Sequence, residues 1–320
     1  MKACQTLHMQ DYFKIRLNSM HPSRPLTFDV FLRLSDRHVH YLRQGDHFTQ
    51  EKLASFKDKA PDSFFVPMEQ RQAYKDFVHD CIAADLPSVD KALILRESSL
   101  ALIEEIFETP DVATALDQTK DLVDEFVGFM GQEPEAISHL ISLSSHDFYT
   151  YNHSLDVGIY CLGLGKAVGF NEKDIKELGQ GAILHDIGKR NVSVDIICKN
   201  GPLDDVEWAQ MQKHPQYGLQ ILNEFDVSDE IKACCFEHHE SFLGNGYPQQ
   251  LDGDEIHPMA RIVAITDTYD ALTTKRSYNQ PMTPKDALNF MNQKLANRYD
   301  PDMMKAMYSV LFKMEKQAAG

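Results

Sequence analysis

The sequence predicts an α+β protein in which a small mixed α/β N-terminal domain precedes an all-α helical bundle. Short alternating apolar segments, typical of strands, are confined to the first 90 residues. From Asp90 onward, apolar residues recur at helical spacing. A length of 320 residues suits about two domains of roughly 150 residues each. We therefore predict an N-terminal module over residues 1–90, a helical connector over 91–130 and a helical domain over 131–320.

Four short strands and two helices account for the N-terminal module. The turn Ser35-Asp36-Arg37 separates two of the strands, which we expect to pair as a hairpin. The strands are Tyr12–Leu17, Phe28–Leu34, His38–Leu42 and Ser63–Val66, and the helices are Thr49–Phe56, with Thr49 as its N-cap, and Glu69–Ala84. The module also holds His38, His40 and His47, and we interpret these scattered imidazoles as surface or packing residues rather than a metal site.

Helices follow one another from the connector to the end of the chain. Asn171 with Asp174 three residues later is typical of a capped helix start, and that helix leads into His185. The apolar stripe of the connector fits a homodimer face and fits ordinary packing equally well. The predicted helices are 91–108, 111–130, 134–145, 149–169, 171–185, 205–214, 217–225, 228–239, 260–272, 283–296 and 300–316.

Composition restricts the function classes. The net charge of −16 is spread along the chain, which argues against nonspecific binding of DNA or RNA. A small anionic substrate stays compatible with this charge where bound metal ions supply positive charge locally. The six cysteines form no C-x-x-C pair, the N-terminus lacks a secretory apolar core, and no apolar run reaches the roughly 18–20 residues of a membrane span. We expect a cytoplasmic protein with reduced thiols.

Histidines and carboxylates recur through the helical domain in more positions than one metal ion needs. Each of these residues alone is more often a hydrogen-bonded core residue or a helix cap. Together they indicate a multinuclear hydrolase, because a helical bundle can direct such side chains inward from several helices. The candidate metal ligands are His153, His185, Asp186, His214, His238, His239 and Asp267.

Mixed imidazole and carboxylate ligands favour Fe, Mn or Zn over Mg or Ca. Two such ions about 3.5–4 Å apart can share a hydroxide and hold a phosphate for in-line attack. Asp186 has two oxygens and can bridge a metal pair. Lys189 follows His185 by one helical turn and can direct its ammonium group at a phosphate oxygen.

The segment Gly244-Asn245-Gly246-Tyr247-Pro248 is compatible with a plain turn or with a substrate loop. Its glycines allow close approach of the backbone to a ligand, and Tyr247 offers a ring and a hydroxyl group.

Together, the strings His185-Asp186-Ile187-Gly188-Lys189 and His238-His239-Glu240-x3-Gly244-x-Gly246-Tyr247-Pro248 resemble the HD-GYP family of the HD-domain metal-dependent phosphohydrolases. The likeness covers about residues 130–320. It implies an all-helical catalytic domain, a bacterial source and hydrolysis of cyclic di-GMP to pGpG and/or GMP through a metal-bridging hydroxide.

The resemblance also implies residue roles. One metal, Fe or Mn, would be held by His153, His185, Asp186 and Asp267, and a second by Asp186, His214, His238 and His239. Asp186 would bridge the two. Lys189 and Arg276 would meet the scissile phosphate, and Gly244, Gly246 and Tyr247 would lie at the substrate.

This sequence departs from the family pattern at two places. Asn279 stands where relatives often carry a cation, which leaves 3′,3′-cyclic GMP-AMP open as the preferred substrate. Tyr149 stands four residues before His153, where some relatives carry an acidic ligand for a third metal. Asp147 is close enough to His153 in the sequence to leave a third metal possible, and we expect two.

An inactive cyclic-dinucleotide receptor is the alternative from another functional class. Because residues 1–90 show no catalytic constellation, we expect the N-terminal module to serve in sensing, dimerisation or protein binding.

Overall fold

The computed structural model describes residues 11–34, 37–49, 51, 64–108, 111–133, 135–144, 150–199, 201–275, 280–295 and 297–318, the last seven of these without side-chain detail. The chain divides into two compact units, Met1–Leu102 and Ile103–Gly320, and the boundary falls within the helix Ser88–Glu108. The division into residues 1–90, 91–130 and 131–320 stays a prediction.

The N-terminal unit contains a four-stranded antiparallel sheet of order β1-β4-β2-β3. The predicted hairpin is confirmed, because β2 pairs with β3 and Phe31 lies opposite His40. The strands are β1 (Tyr12–Ile15), β2 (Val30–Leu34), β3 (Arg37–Leu42) and β4 (Phe64–Pro67).

One face of this sheet supplies the core of the N-terminal unit. Alternation along β1 buries Phe13 and Ile15, while Tyr12 and Lys14 stay partly exposed. The helix α1 (Arg71–Ala83) brings Tyr74 to an edge contact with Phe28, whose ring is fully buried, at a centroid distance of 5.3 Å. Aromatic packing of this kind gives a small sheet the apolar area that it needs to fold.

The remaining described helices form the second unit, apart from α2, which crosses the boundary between the units. The all-helical prediction for this part of the chain is confirmed. The helices are α2 (Ser88–Glu108), α3 (Val112–Gln132), α4 (Ala136–Ser142), α5 (Thr150–Val168), α6 (Glu172–Leu184), α7 (Val194–Ile197), α8 (Asp205–Met211), α9 (His214–Leu222), α10 (Asp229–Glu237), α11 (Pro258–Thr273), α12 (Pro284–Gln293) and α13 (Pro301–Ala318).

Two helices, α5 and α11, occupy the centre of the second unit and pack on each other. Their residues are buried nearly all round: Leu155, Cys161 and Leu164 on α5, and Ile262 and Ile265 on α11, are each at most 1 % exposed. A helix that is apolar around its whole circumference belongs in a core. Polar residues on these two helices are therefore placed inside the bundle.

Local signals explain where the surrounding helices begin. Asn171 caps α6 as predicted, since its side-chain oxygen accepts a hydrogen bond from the Asp174 backbone N–H at 3.0 Å. The prediction of one helix over 205–214 and another over 217–225 is wrong at their junction, because α8 ends at Met211 and α9 begins at His214. Pro215 favours this start, since the first turn of a helix leaves its N–H groups unbonded. In the part of the chain that the structure describes, every helix is too short or too polar to cross a bilayer.

Candidate metal centre

The seven candidate ligands come together inside the helical unit. They arrive from five places in the chain, mostly from helix ends, where the backbone turns the side chain inward. His153 lies on α5 and Asp267 on α11, His185 and Asp186 follow α6, His214 begins α9, and His238 and His239 follow α10. Five of the seven are buried, and His239 and Asp267 are partly exposed.

Their nitrogen and oxygen atoms form overlapping groups, and within each group all ligand atoms lie within 4.8 Å of one another. Two of the groups share no residue, so the centre has two sides. The groups are His153 with His185 and Asp267, His214 with His238 and His239, and His185 with Asp186 and His238.

Asp186 lies between the two sides and turns one carboxylate oxygen toward each. Its Oδ2 is 3.4 Å from Nε2 of His185 and 3.8 Å from Nε2 of His153. Its Oδ1 is 3.3 Å from Nε2 of His214 and 3.9 Å from Nε2 of His238. This is the geometry that a carboxylate needs in order to bridge two cations.

Three of the histidines are oriented in the same way by the backbone. Their Nδ1 atoms donate to carbonyl oxygens three residues earlier, at 2.6 Å for His185, 2.8 Å for His214 and 2.9 Å for His238. The last carbonyls of a helix have no partner within the helix and are available for this bond. A carbonyl cannot donate, so the proton sits on Nδ1 and the lone pair of Nε2 faces the centre.

The converging lone pairs are unfavourable unless a cation lies among them. Nε2 of His214 and Nε2 of His238 are 3.2 Å apart, and with both Nδ1 atoms protonated neither can donate to the other. Nε2 of His185 and Oδ1 of Asp186 are buried without a hydrogen bond. Buried polar atoms in proteins are nearly always satisfied, so these residues fit a metal-binding role.

His153 is oriented differently, by a carboxylate. Its Nδ1 lies 2.7 Å from Oδ2 of Asp270, and its Nε2 lies 3.3 Å from Oδ1 of Asp267. Thr274 donates to the other oxygen of Asp270 at 3.2 Å. Sequence reasoning assigned no role to Asp270, although its position three residues after Asp267 on a helix was a usable signal. A carboxylate on the far nitrogen fixes the ring and strengthens the histidine as a ligand.

Burial and charge set the protonation of the centre. Burial lowers the pKa of His214 to about 4 and that of His239 to about 3, and it lowers the pKa of His238 strongly as well. Neutral imidazole is the form that binds a metal. Burial opposes charge on His153 too, but hydrogen bonds and charges from Asp267 and Asp270 outweigh it and raise its pKa to about 10. The proton between Nε2 of His153 and Oδ1 of Asp267 therefore lies at a position where a metal cation can bind in its place.

The pKa of Asp186 is held well below its usual range. Burial alone would raise it, and the charge of Lys189, together with the contact to His185, more than compensates. Lys189 donates to Oδ2 of Asp186 and keeps 29 % of its side chain exposed, so its ammonium group lies at the rim of the centre. Gly188, one residue before Lys189, lies directly against the start of α9. A Cβ at this position would come within 1.9 Å of the His214 carbonyl oxygen.

The glycine-rich loop covers one side of the centre. The ring of Tyr247 stacks on His239, with centroids 4.7 Å apart and planes at 29°. Gly246 lies so close to the chain at Glu240 that a Cβ would be 2.4 Å from its Cα. Gly244 has a φ of 73°, which favours glycine. The loop residues of the prediction are therefore next to the predicted metal ligands.

Glu240 anchors this loop and was missed as a functional residue. Its carboxylate is 2 % exposed and accepts hydrogen bonds from the backbone N–H groups of Gln249 at 2.6 Å and Leu251 at 3.1 Å. The available signal was the position of an acidic residue directly after two histidines. Arg276, the second predicted phosphate contact, lies outside the described residues, as do Asp147, Tyr149 and Asn279.

Comparison with known proteins is consistent with this centre. The HD domain family model matches residues 135–303. A cyclic di-GMP phosphodiesterase of Pseudomonas aeruginosa, PA4108, is 32 % identical over 218 residues, which cover 67 % of this chain and 52 % of that protein. The 3′3′-cGAMP-specific phosphodiesterase 3 of Vibrio cholerae is 36 % identical over 163 residues, which cover 51 % of this chain and 35 % of that protein. The chain thus spans about half or less of the length of these relatives.

The fold is also found in a solved structure. Bd1817, an HDG"Y"P protein from Bdellovibrio bacteriovorus, matches 94 % of this chain and 99 % of its own with a TM-score of 0.72. At 21 % sequence identity this likeness concerns the fold alone.

Proposed function

The chain belongs to the HD domain family, in its HD-GYP branch, and we propose that it is a metal-dependent phosphodiesterase that hydrolyses cyclic di-GMP to pGpG and/or GMP. The observation that carries the proposal is the position of Asp186, whose two oxygens face two different groups of histidines. Such a centre suits a substrate whose phosphate must be held and charge-neutralised while a P–O bond breaks.

We assign the ligands of two divalent ions, Fe or Mn, in two sets that share Asp186. His153, His185 and Asp267 complete one set, and His214, His238 and His239 complete the other. Nitrogen-rich mixed ligands favour these metals over Mg and Ca. When bound, the ions supply positive charge for the phosphate and an acidified water as nucleophile.

The residues of the chain have separate tasks in this proposal. Asp270 holds the ring of His153, and the helix-end carbonyls hold His185, His214 and His238, so that the ligand geometry is set before substrate binds. Lys189, at the rim, is placed to exchange its bond to Asp186 for one to a phosphoryl oxygen, where it stabilises developing negative charge.

Substrate contacts follow from the loop. Tyr247 presents its ring and hydroxyl beside His239, and Gly244 and Gly246 leave backbone open to a ligand. We propose these three residues, Lys189 and Arg276 as the substrate-binding set. The buried charge of Glu240 keeps the loop in place, because two backbone N–H groups depend on it.

A second substrate, 3′,3′-cyclic GMP-AMP, is favoured by a specific observation. Two relatives from Vibrio cholerae that are 36 % and 37 % identical over about half of this chain are named 3′3′-cGAMP-specific phosphodiesterases. Asn279 in place of a cation agrees with a change in substrate preference. Initial rates on the two dinucleotides, measured side by side, decide between them.

Anaerobic turnover tests the function. Protein reconstituted with Fe(II) or Mn(II) is incubated with cyclic di-GMP, and pGpG and GMP are separated by chromatography. We expect products from the wild type and none from Asp186→Ala, which also loses metal. Asp195→Ala, an exposed carboxylate on α7, is the matched control and should retain both. Full turnover by Asp186→Ala would overturn the proposal, and so would a fully metal-loaded wild type that cleaves neither dinucleotide.

A further inference from the structure

The sheet of the N-terminal unit has a second face that the proposed reaction does not use. Side chains alternate along a strand, so the residues that do not enter the core lie together on the opposite face. This face carries five rings, and each of them is at least partly exposed: Tyr12, Phe31, His38, His40 and Phe65. We refer to these five residues as the ring face.

The rings contact one another across the strands. Tyr12 stacks on His38 with centroids 4.1 Å apart and planes at 19°, and Phe31 stacks on His40 at 4.8 Å and 23°. His38 also meets Phe65 edge-on at 4.8 Å. Phe31 and Phe65 are register partners on the two central strands. The ring face is therefore one continuous aromatic surface that spans the sheet.

Two cations lie on the same side of the sheet. Lys14 is the register partner of Phe65, and Arg33 follows Phe31 by two residues. Arg33 is exposed, and its charge adds to burial in lowering the pKa of His38. His38 is thus a neutral aromatic ring at neutral pH. Nε2 of His40 is 3.3 Å from Oδ1 of Asp29, so one carboxylate lies beside the ring face.

The charge of the chain is divided unevenly between the units. Residues 1–102 contain 14 Lys and Arg against 13 Asp and Glu, whereas residues 103–320 contain 18 against 35. The net charge is +1 for the first part and −17 for the second. An anion that approaches the protein meets far less repulsion at the N-terminal unit.

We propose that the ring face binds a purine nucleotide with one or two phosphates, with the base stacked on the exposed side of its rings and a phosphate at Arg33 or Lys14. Four-stranded sheets that bind bases place aromatic residues on their central strands in this way. Base–aromatic stacking combined with Arg or Lys is the general chemistry of such surfaces. The described part of the face offers two cations, which suits one or two phosphates and not the long polyanion of an RNA.

The test is binding to the whole 320-residue chain, with metal removed by a chelator so that no turnover occurs. GMP and cyclic di-GMP are the probes. Affinity is measured by titration calorimetry, and the site is located by hydrogen–deuterium exchange of the β2 and β4 segments. Because no reaction is needed, the result is independent of the phosphodiesterase proposal. We expect a bound nucleotide to protect both strands.

Three variants sharpen the test. Loss of one stacking ring in Phe31→Ala should weaken binding roughly 5- to 150-fold. Arg33→Glu, at an exposed position that does not enter the core, should weaken it by reversing a charge. Val39→Ala, exposed on the same sheet but on the opposite face, is the matched control and should bind as the wild type does. Melting curves identify any variant that fails to fold.

Three results would overturn the proposal. In the first, neither nucleotide protects the two strands. In the second, affinity is unchanged in both Phe31→Ala and Arg33→Glu. In the third, a single-stranded RNA oligomer protects the strands more tightly than either nucleotide, and the ring face is then a nucleic-acid surface.

Discussion

Histidines cluster in both units of this protein, and the two clusters have opposite structures. In the helical unit, His185, His214 and His238 are buried, held at Nδ1 by backbone carbonyls, and convergent at Nε2 beside a carboxylate. In the sheet, His38 and His40 stack on aromatic rings and remain partly exposed. The contrast shows that closeness in sequence does not make a metal site. Fixed tautomers and converging lone pairs do.

The largest difference between the two histidine clusters should appear when a predicted metal ligand of the helical unit is replaced. His185→Ala removes a nitrogen from one side of the centre, and the ion held there contributes several kcal/mol to the proposed reaction. We expect turnover of cyclic di-GMP to fall roughly 10³-fold or more, with metal content reduced in elemental analysis. His47→Ala, an exposed histidine of the N-terminal unit, should change neither. Equal losses of turnover and metal in His185→Ala and His47→Ala would show that the two clusters do not differ in metal binding.

The next effect concerns the carboxylate behind His153. Asp270→Asn keeps the size of the side chain but removes the charge that fixes and strengthens the imidazole. We expect metal affinity or kcat to drop about 10- to 100-fold, measured by competition with a chelator and by initial rates. Asp229→Asn, which alters a fully exposed carboxylate, is the control. An unchanged metal affinity would show that Asp270 serves packing alone.

Loss of the loop anchor should leave the metals in place. Glu240→Gln replaces a buried charge that accepts two backbone hydrogen bonds, and each bond to a charged group contributes about 2 kcal/mol. We expect a lower melting temperature and a raised KM, with normal metal content. The exposed Glu224→Gln provides the comparison. A lower metal content in Glu240→Gln would mean that the loop also shapes the ligand sphere.

The smallest effect is expected from a substitution in the sheet of the N-terminal unit. His40→Ala removes the stacking partner of Phe31 and should lower the free energy of unfolding by about 1 kcal/mol. Its contact with Asp29 is partly exposed and adds little. Chemical denaturation measures the change, and metal analysis of the same sample should match the wild type. Any loss of metal would contradict the separation of the two clusters.

Sequence reasoning succeeded where the signal is local. The hairpin of β2 and β3, the cap at Asn171 and the helical character of residues after Asp90 depend on alternation, spacing and neighbouring hydrogen bonds. It failed at the junction near His214, where it placed the break between two helices after His214 instead of before it, since apolar spacing indicates a helix but does not fix its ends. The break there depends on the packing of α9 against Gly188.

By itself, the sequence determined the fold class and which side chains are chemically able to bind metal, because residue types and their spacing are local properties. The tertiary structure decided how those side chains meet. Asp270 reaches His153 across 117 positions of the chain, and Asp186 turns one oxygen to each side only because the ends of α6 and α10 and the start of α9 lie close together. Contacts over such separations follow from helix packing, which no local pattern encodes.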